Sequence, residues 1–414
     1  MISLELLKLL KEVIHDHKTL EAARLQNNAF TRNRKMPFPS ALCFMLDMRK
    51  TTLQTRLNMY FEHNEEVGPM SQQAFSKLRS NYDHSPFVAM HKAIVKKEYS
   101  GDDELSQWNG YHVLGIDGSF LQLPRTEELY QEFGRHGHKP QCPAAGASVL
   151  FDVMHGWVLD PIITTAGMNE RTECEKHIRF LCAELPHIAK NSIILLDRGY
   201  PSLDLLGKLQ RSNLKFVARC NSVFVSEINN APMGNSVVTL KSGQSVRVIK
   251  FILTSGEIET LATNLFDLPT KCFPELYAMR WGVETAYFRF KRELCVEKFS
   301  GKTPNSIRQD FWASMVLLNS VAVFQREADD AVDYRQRHKS LKHINRARTS
   351  DLIITLRDKF MFAVLCGQTM FSTLELEQII KTMARTVSPV RPDRSFPRVH
   401  KPFLVANSNL KSHL

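Results

Sequence analysis

YAMRWGVETAYFRFK, residues 277–291, carries Tyr277, Arg280, Glu284 and Lys291 at offsets of 0, 3, 7 and 14. At about 100° per helical residue these fall near 0°, −60°, −20° and −40°, one narrow stripe of a single predicted helix. Pro274 stands just before, where a missing N–H costs nothing in the first helical turn. One acid, two cations and a phenol in line do not make an apolar face. They suit a phosphate backbone with one metal-binding carboxylate in its middle. A solvated helix face with Arg280 and Glu284 paired one turn apart reads as well from this stretch alone, so the rest of the chain has to decide.

Upstream, residues 221–267 read as β-rich: SVFVSEI, SVVTL, SVRVIKFIL and EIETLATNL, separated by Asn, Gly and Ser turns. Before them, SIILLD is a short, fully apolar run ending at Asp197, as a buried central strand would. A helix starting near Pro201 and a strand, KFVARC, follow it. Further back, YHVLGIDGSFLQLP reads as a strand, a tight turn at Asp117-Gly118 and a second, paired strand. GASVLFDVMHGWVLDPIIT continues with strands around His155-Gly156, and ERTECEKHIRFLCAELP is helical.

Three carboxylates stand out by position: Asp117 and Asp197 at strand ends, Glu284 on a helix. Such acids can converge at one edge of a mixed sheet. A hard, oxygen-only set suits Mg²⁺ or Mn²⁺ and not zinc. Each acid also has a plain structural reading. An Asp-Gly after a strand is a turn, and an Asp closing a strand is a helix cap.

The order of the motifs weighs against the plain readings. Tyr277-x2-Arg280-x3-Glu284-x6-Lys291 resembles the signature of the insertion-sequence-four family of bacterial transposases. VLGIDGS resembles that family's first Asp motif, and Asp197-Arg198-Gly199-Tyr200 its second. The acids lie 80 and 87 residues apart, which leaves room for the β-rich insertion such proteins place before the Glu. NERTE around Glu170 and the tail RPDRSFPR are similar too, less specifically, so the resemblance spans roughly residues 38–402.

The resemblance implies an α/β fold. Its ribonuclease-H-like core, a mixed sheet flanked by helices, carries a β-rich insertion and has helical regions at both ends. It implies residues 1–105 as a helical DNA-binding domain, 106–220 and 271–330 as the two parts of the core, 221–270 as the insertion, and 331–414 as a basic helical C-terminal region whose tail forms an extended basic arm. It further implies that Asp117, Asp197 and Glu284 hold two divalent ions, Mg²⁺ or Mn²⁺, and catalyse DNA cleavage and strand transfer. Tyr277, Arg280, Lys291 and Arg198 would contact DNA. An Arg280–Glu284 pair in the absence of DNA would be a resting state. Relatives of this type can excise through a hairpin and stack a flipped base on an aromatic; Trp281, Trp157 and Phe224 are the candidates. The partners implied are double-stranded DNA, both element ends and target, and a second copy of the chain. No nucleotide cofactor is expected. The location implied is the bacterial cytoplasm, in association with the nucleoid. The alternatives are a ribonuclease-H-like nuclease that cuts without joining and a non-catalytic DNA-binding protein of the same fold.

Composition agrees with these expectations. The 414 residues suffice for two or three domains at roughly 100–200 residues each. Hydrophobic residues make up 43% and charged residues 23%, enough for a packed core. The net charge is +11, and it is uneven: residues 331–414 hold 15 Lys/Arg against 6 Asp/Glu, residues 1–110 hold 15 against 13. The net charge suggests a polyanionic partner, and most of the excess positive charge lies at the C-terminal end. The 8 Cys include no CxxC pair, which argues against a zinc ribbon or redox dithiol and fits a reducing compartment. Cys174, His177, Cys182 and His187 read as ordinary helix residues. The N-terminus MISLELLKLLKEVIHDHKTLEAARL has charges at helical spacing and no cleavable signal pattern, and no 18-residue apolar run exists. The runs TTLQTRLNMYFEH and MSQQAFSKLRSN, joined across Gly68-Pro69, fit a helix-turn-helix-like unit or a plain bundle, with Gln72, Gln73, Lys77 and Arg79 expected at the surface.

Overall fold

The computed structural model describes residues 2–32, 34–47, 51–62, 68–100, 105–137, 142–253, 255–356 and 373–390. Among them the chain divides into two compact units. One comprises Glu98–Leu121 and Ala144–Arg289; the other comprises Met1–Lys97, Gln122–Pro143 and Phe290–Leu414.

The first unit is built on a mixed sheet. Its first strand, β1, runs His112–Gln122 without interruption through Asp117 and Gly118. This corrects the expected hairpin turn there. A tight two-residue hairpin needs positive φ, and Gly118 is not among the residues that adopt it. Strand β2, Arg135–His136, falls in the second unit; the further strands here are β3 Cys142–Asp152, β4 Trp157–Thr165, β5 Ser192–Leu196, β6 Lys215–Arg219, β7 Gly234–Thr239, β8 Ser245–Ile252 and β9 Ile258–Thr263. The sheet order is β2-β3-β1-β5-β6-β9-β8-β7, with β4 also paired to β3. β1, β5 and β6 run parallel; β9, β8 and β7 add on antiparallel. The expected β-rich insertion therefore continues the sheet through β6–β9 pairing. One of its predicted strands is absent: SVFVSEI forms a turn and the short helix Ser226–Asn229.

The β3–β4 turn is clamped by Asp152. One carboxylate oxygen accepts the N–H groups of Met154 and His155, and the other accepts the Tyr99 hydroxyl at 2.7 Å and His155 Nδ1 at 2.9 Å. Gly156 completes the turn at φ +76°.

The stretch 270–293 is not one helix. A 3₁₀ turn, Thr270–Cys272, leads into the helix Phe273–Ala278. After a break at Met279–Arg280 comes the helix Trp281–Phe288, then a π turn, Arg289–Glu293. Arg280, Gly282 and Val283 each bond back three residues, to Tyr277, Met279 and Arg280. That tightening, and the wider π turn holding Lys291, break the 100° step on which the single stripe rests. Apolar side chains from this stretch, Phe273, Leu276 and Tyr277, join Val113, Ile193, Leu195, Val217 and Leu261 in one buried cluster.

In the second unit the capped helix Pro304–Gln336 is the longest element. Packed against it are helices Ile2–His15, Glu127–Phe133 and Thr373–Met383 and the short strand Asn345–Ala347. The helices Leu53–Glu62 and Gln72–Arg79 form as expected, and Gln72, Gln73 and Lys77 are exposed. Arg79 is buried, a correction. Its guanidinium bonds Gln309 Oε1 at 2.8 Å, Ser300 Oγ at 2.8 Å, the Ser306 carbonyl at 3.0 Å and Asp310 Oδ1 at 3.1 Å. A cation on an amphipathic helix is read as solvent-facing unless its partners, here some 230 positions away, are known. The tail from residue 391, with its expected extended arm, lies outside the described residues. Among the described residues no helix is long and apolar enough to cross a membrane.

Candidate active site

Asp117 and Asp197 meet through sheet register. β1 and β5 pair in parallel from His112↔Ser192 to Gly115↔Leu195, an offset of 80 residues. Asp117 lies two residues beyond the last of these pairs on β1, and Asp197 directly follows β5, which ends at Leu196. Side chains alternate along a strand, so Asp117 shares a face with Val113 and Gly115, while the Tyr277 hydroxyl reaches Asp197 Oδ1. Val113, Ile193 and Leu195 belong to the cluster beneath Phe273, Leu276 and Tyr277. The two aspartates therefore project on the face that the segment carrying Glu284 covers.

Glycine lets that segment lie close. A Cβ built on Gly115 would stand 2.3 Å from Val283 Cγ2, and one on Gly282 would stand 3.2 Å from Val153 Cβ. The Tyr287 hydroxyl anchors the helix Trp281–Phe288 further, its single hydrogen shared between the Asp117 carbonyl at 3.0 Å and the Ala147 carbonyl at 2.9 Å.

The polar groups interlock. Tyr277 Oη donates to Asp197 Oδ1 at 3.3 Å and is almost fully buried. Arg280, also buried, donates from Nη2 to Glu284 Oε1 at 2.9 Å, and its guanidinium lies 5.8 Å from the Tyr277 ring centroid. Burial works against the Arg280 charge, but Tyr277, Glu284 and Asp197 overcome it and hold its pKa above the ordinary value. Burial pushes the Tyr277 phenol up, and the Asp197 charge adds to that.

Asp117 is the perturbed acid. Burial pushes its pKa up to about 6, and the negative neighbours Asp197 and Glu170 push the same way; the Gly118 N–H, 2.8 Å from Oδ1, and Arg280 oppose them. Glu170 starts the helix Glu170–Glu184, capped by Asn169. Its carboxyl is raised by burial and by Asp197, and a Cβ on Gly199 would come 2.5 Å from its Oε2.

Two further groups flank Asp197. Arg219, at the end of β6, lies 3.9 Å from Asp197 Oδ1 and is ion-paired with Glu259 of β9. Arg198 is exposed, and its charge reaches Glu259. Nothing in sequence spacing flags Arg219 or Glu259; they arrive through the β6–β9 pairing. Glu170 carried a signal only in the NERTE stretch. Lys291 lies in the π turn, beyond the end of this unit at Arg289.

Among the aromatics, Trp157 is 1% exposed and has no face to offer a base, which removes it from the stacking candidates. Trp281 is 62% exposed, on the helix that bears Glu284, and Phe224 is half-buried. Among the described residues no group of three or more His, Cys, Asp and Glu stands close enough to hold a metal ion as arranged, and Cys174 with His177 forms no such group.

Residues 108–320, just over half of the chain, match the model of the family described as Transposase DDE domain. The chain belongs to this family. The matched span takes in Asp117, Asp197 and Glu284 of this transposase domain, together with strands β1–β9. No curated protein matches the chain. Among solved structures, it is similar to "Cryo-EM structure of piggyBac transposase synaptic complex with hairpin DNA". The TM-score is 0.48 and the sequence identity 11%, over 92% of this chain and 85% of that one.

Proposed function

We propose that the protein is a transposase of the insertion-sequence-four type. In this reading it binds the terminal inverted repeats of a mobile element, cleaves DNA at the ends and joins them to target DNA. The core is read as ribonuclease-H-like. The observation that carries the proposal is the convergence of Asp117 and Asp197 on the face covered by the Glu284 helix, with Asp117 held up to about 6 by burial and by the acids around it.

The donor chemistry fits a divalent cation. Asp117, Asp197 and Glu284 offer only hard oxygen ligands, as Mg²⁺ or Mn²⁺ takes. Neighbouring carboxylates that repel one another gain from a cation between them. Two such ions, when bound, supply Lewis acidity for the attacking and leaving oxygens of a phosphodiester. The remaining roles fall to the chain's own groups. Tyr277 holds Asp197 by its hydroxyl. Arg280 sits on Glu284 Oε1, and turning away would free that oxygen for a ligand role. Among the described residues its buried Nε has no hydrogen-bond partner, and a phosphate oxygen would give it one. Arg198 and Lys291 would add phosphate contacts. Trp281 is the best placed aromatic for a flipped base. Cleavage of two ends implies two copies in the active complex.

The test is direct. Full-length protein with Mg²⁺ or Mn²⁺ is incubated with DNA carrying the inverted repeats that border its gene. Nicking at the repeat ends and joining to a second duplex are expected. Tight binding with no cutting in either metal would overturn the catalytic reading in favour of a DNA-binding role.

A further inference from the structure

The peptide plane between Asp117 and Gly118 is held from both sides. Its N–H belongs to Gly118 and donates to Asp117 Oδ1 at 2.8 Å. Its carbonyl belongs to Asp117 and accepts from Tyr287 Oη at 3.0 Å and from Ser148 Oγ at 3.3 Å. A peptide is planar and stiff, so whatever fixes the carbonyl oxygen also fixes the direction of the N–H. That N–H is the hydrogen bond favouring the ionised form of the Asp117 carboxylate.

Ser148 does not act alone. Its Oγ lies 2.9 Å from His177 Nε2, and His177 Nδ1 lies 2.7 Å from Asp160 Oδ2. Ser148 and the His177 side chain are fully buried, while the Asp160 side chain is 16% exposed. The members come from three elements: β3, the helix Glu170–Glu184 and β4. A serine hydroxyl has one hydrogen. Ser148 Oγ has both the Asp117 carbonyl and His177 Nε2 within reach, and Asp160 faces the other ring nitrogen, so one unbroken row runs from Asp160 to the Asp117 carbonyl. A buried polar row of this kind has no value for core packing unless every member is paired.

We propose that Asp160, His177 and Ser148 form a positioning array that aims the Asp117 carboxylate by locking the Asp117–Gly118 peptide plane. These are positioning residues; none touches a reacting atom. The proposal rests on Asp117 being a catalytic acid, but the locking itself can be measured without DNA or metal.

The experiment compares wild type with Ser148→Ala, Asp160→Ala and Asp160→Asn. Amide NMR of metal-free, DNA-free protein reads the Gly118 N–H and the Asp117 carbonyl carbon. Ser148→Ala and Asp160→Ala should shift both signals and speed Gly118 hydrogen exchange, while amides of β7 and β8 stay in place. In DNA cleavage, both should lower kcat by about 10-fold or more, the usual scale for groups that orient a ligand, with KM for DNA unchanged. Asp160→Asn still offers an oxygen to Nδ1 and should fall less far. Asp160 lies near the surface, so its variants serve if Ser148→Ala fails to fold. Unchanged Gly118 and Asp117 signals in the Ala variants overturn the proposal, as does a loss that appears only in KM. If wild type cuts no DNA, the functional reading fails, and the NMR comparison still decides whether the array locks the peptide.

Discussion

Arg280 Nη2 donates to Glu284 Oε1 at 2.9 Å, four residues along the chain and across the tightened turn at 280–283. The pair spends on one acid the cation that the proposed function needs for phosphate. The charges that act on Asp117 include Asp197, Glu170 and this same arginine. In this chain the arginine links Glu284 to the aspartates. DNA and a divalent cation, arriving together, would each take one member of the pair.

Glu284→Gln keeps the shape and removes the charge. Strand cleavage should fall by at least about 1,000-fold, the scale of losing a group the chemistry depends on, while gel-shift affinity for DNA stays. Cleavage undiminished in the Gln variant would sink the assignment of Glu284.

Arg280→Ala and Lys291→Ala address the DNA grip. Each should weaken DNA binding and reduce the slope of log K against log salt by about one unit. The Arg280 change carries a second expectation that Lys291→Ala lacks. With Glu284 released, calorimetric Mn²⁺ affinity without DNA should rise. A salt slope equal to wild type in both variants would argue against phosphate contacts.

Asp117 gives a pH signature in metal-free protein. Its folded pKa, about 6, lies above the ordinary 3.8, so the native state binds the proton more tightly than the unfolded chain. That contribution to stability is fully present below about pH 4 and is lost as pH rises through about 6. Asp117→Asn should therefore melt a few degrees higher than wild type above pH 6, with the gap closing toward pH 4. Mg²⁺ should raise the wild-type Tm above pH 6 and leave the Asn variant nearly unmoved. A pH-independent gap would mean that the side chain is not the buried, repelled acid described.

Gly115→Ala forces a Cβ into Val283 Cγ2. Overpacking of this kind costs about 1–3 kcal/mol, and here it would also lift the Glu284 helix off β1. Adding Val283→Ala should restore part of both stability and cleavage. Denaturant melts of the two single variants and the double one give the coupling; strictly additive losses would show that the two positions do not press on each other.

Much of the site was legible because its members sit at motif spacings. The 80-residue offset between Asp117 and Asp197 is also the register of β1 against β5, so a number read from sequence reappears as a pairing in space. What could not be read was conformational detail that neighbours decide. Asp117-Gly118 has turn chemistry, but the long strand pairs through it and the glycine stays extended. The 277–291 stripe assumed uniform helix, and the bonds reaching back three residues together with the π turn undo it. Tyr277 and Arg280 read as surface grips, yet both are buried against acids. Arg219 and Glu259 carry no motif, and only the joining of β6 to β9 reveals them beside Asp197.

That joining has a consequence for how the chain could be shortened or traded. β9 takes the hydrogen bonds of Val217, Ala218 and Arg219 on β6. Deleting residues 221–267 would turn an interior strand into a bare edge, open to any other extended chain, and would leave Arg219 without Glu259. The segment is thus not a removable cassette. A relative that lacks it must close this margin of the sheet by other means, and a graft of it elsewhere must bring its own β6.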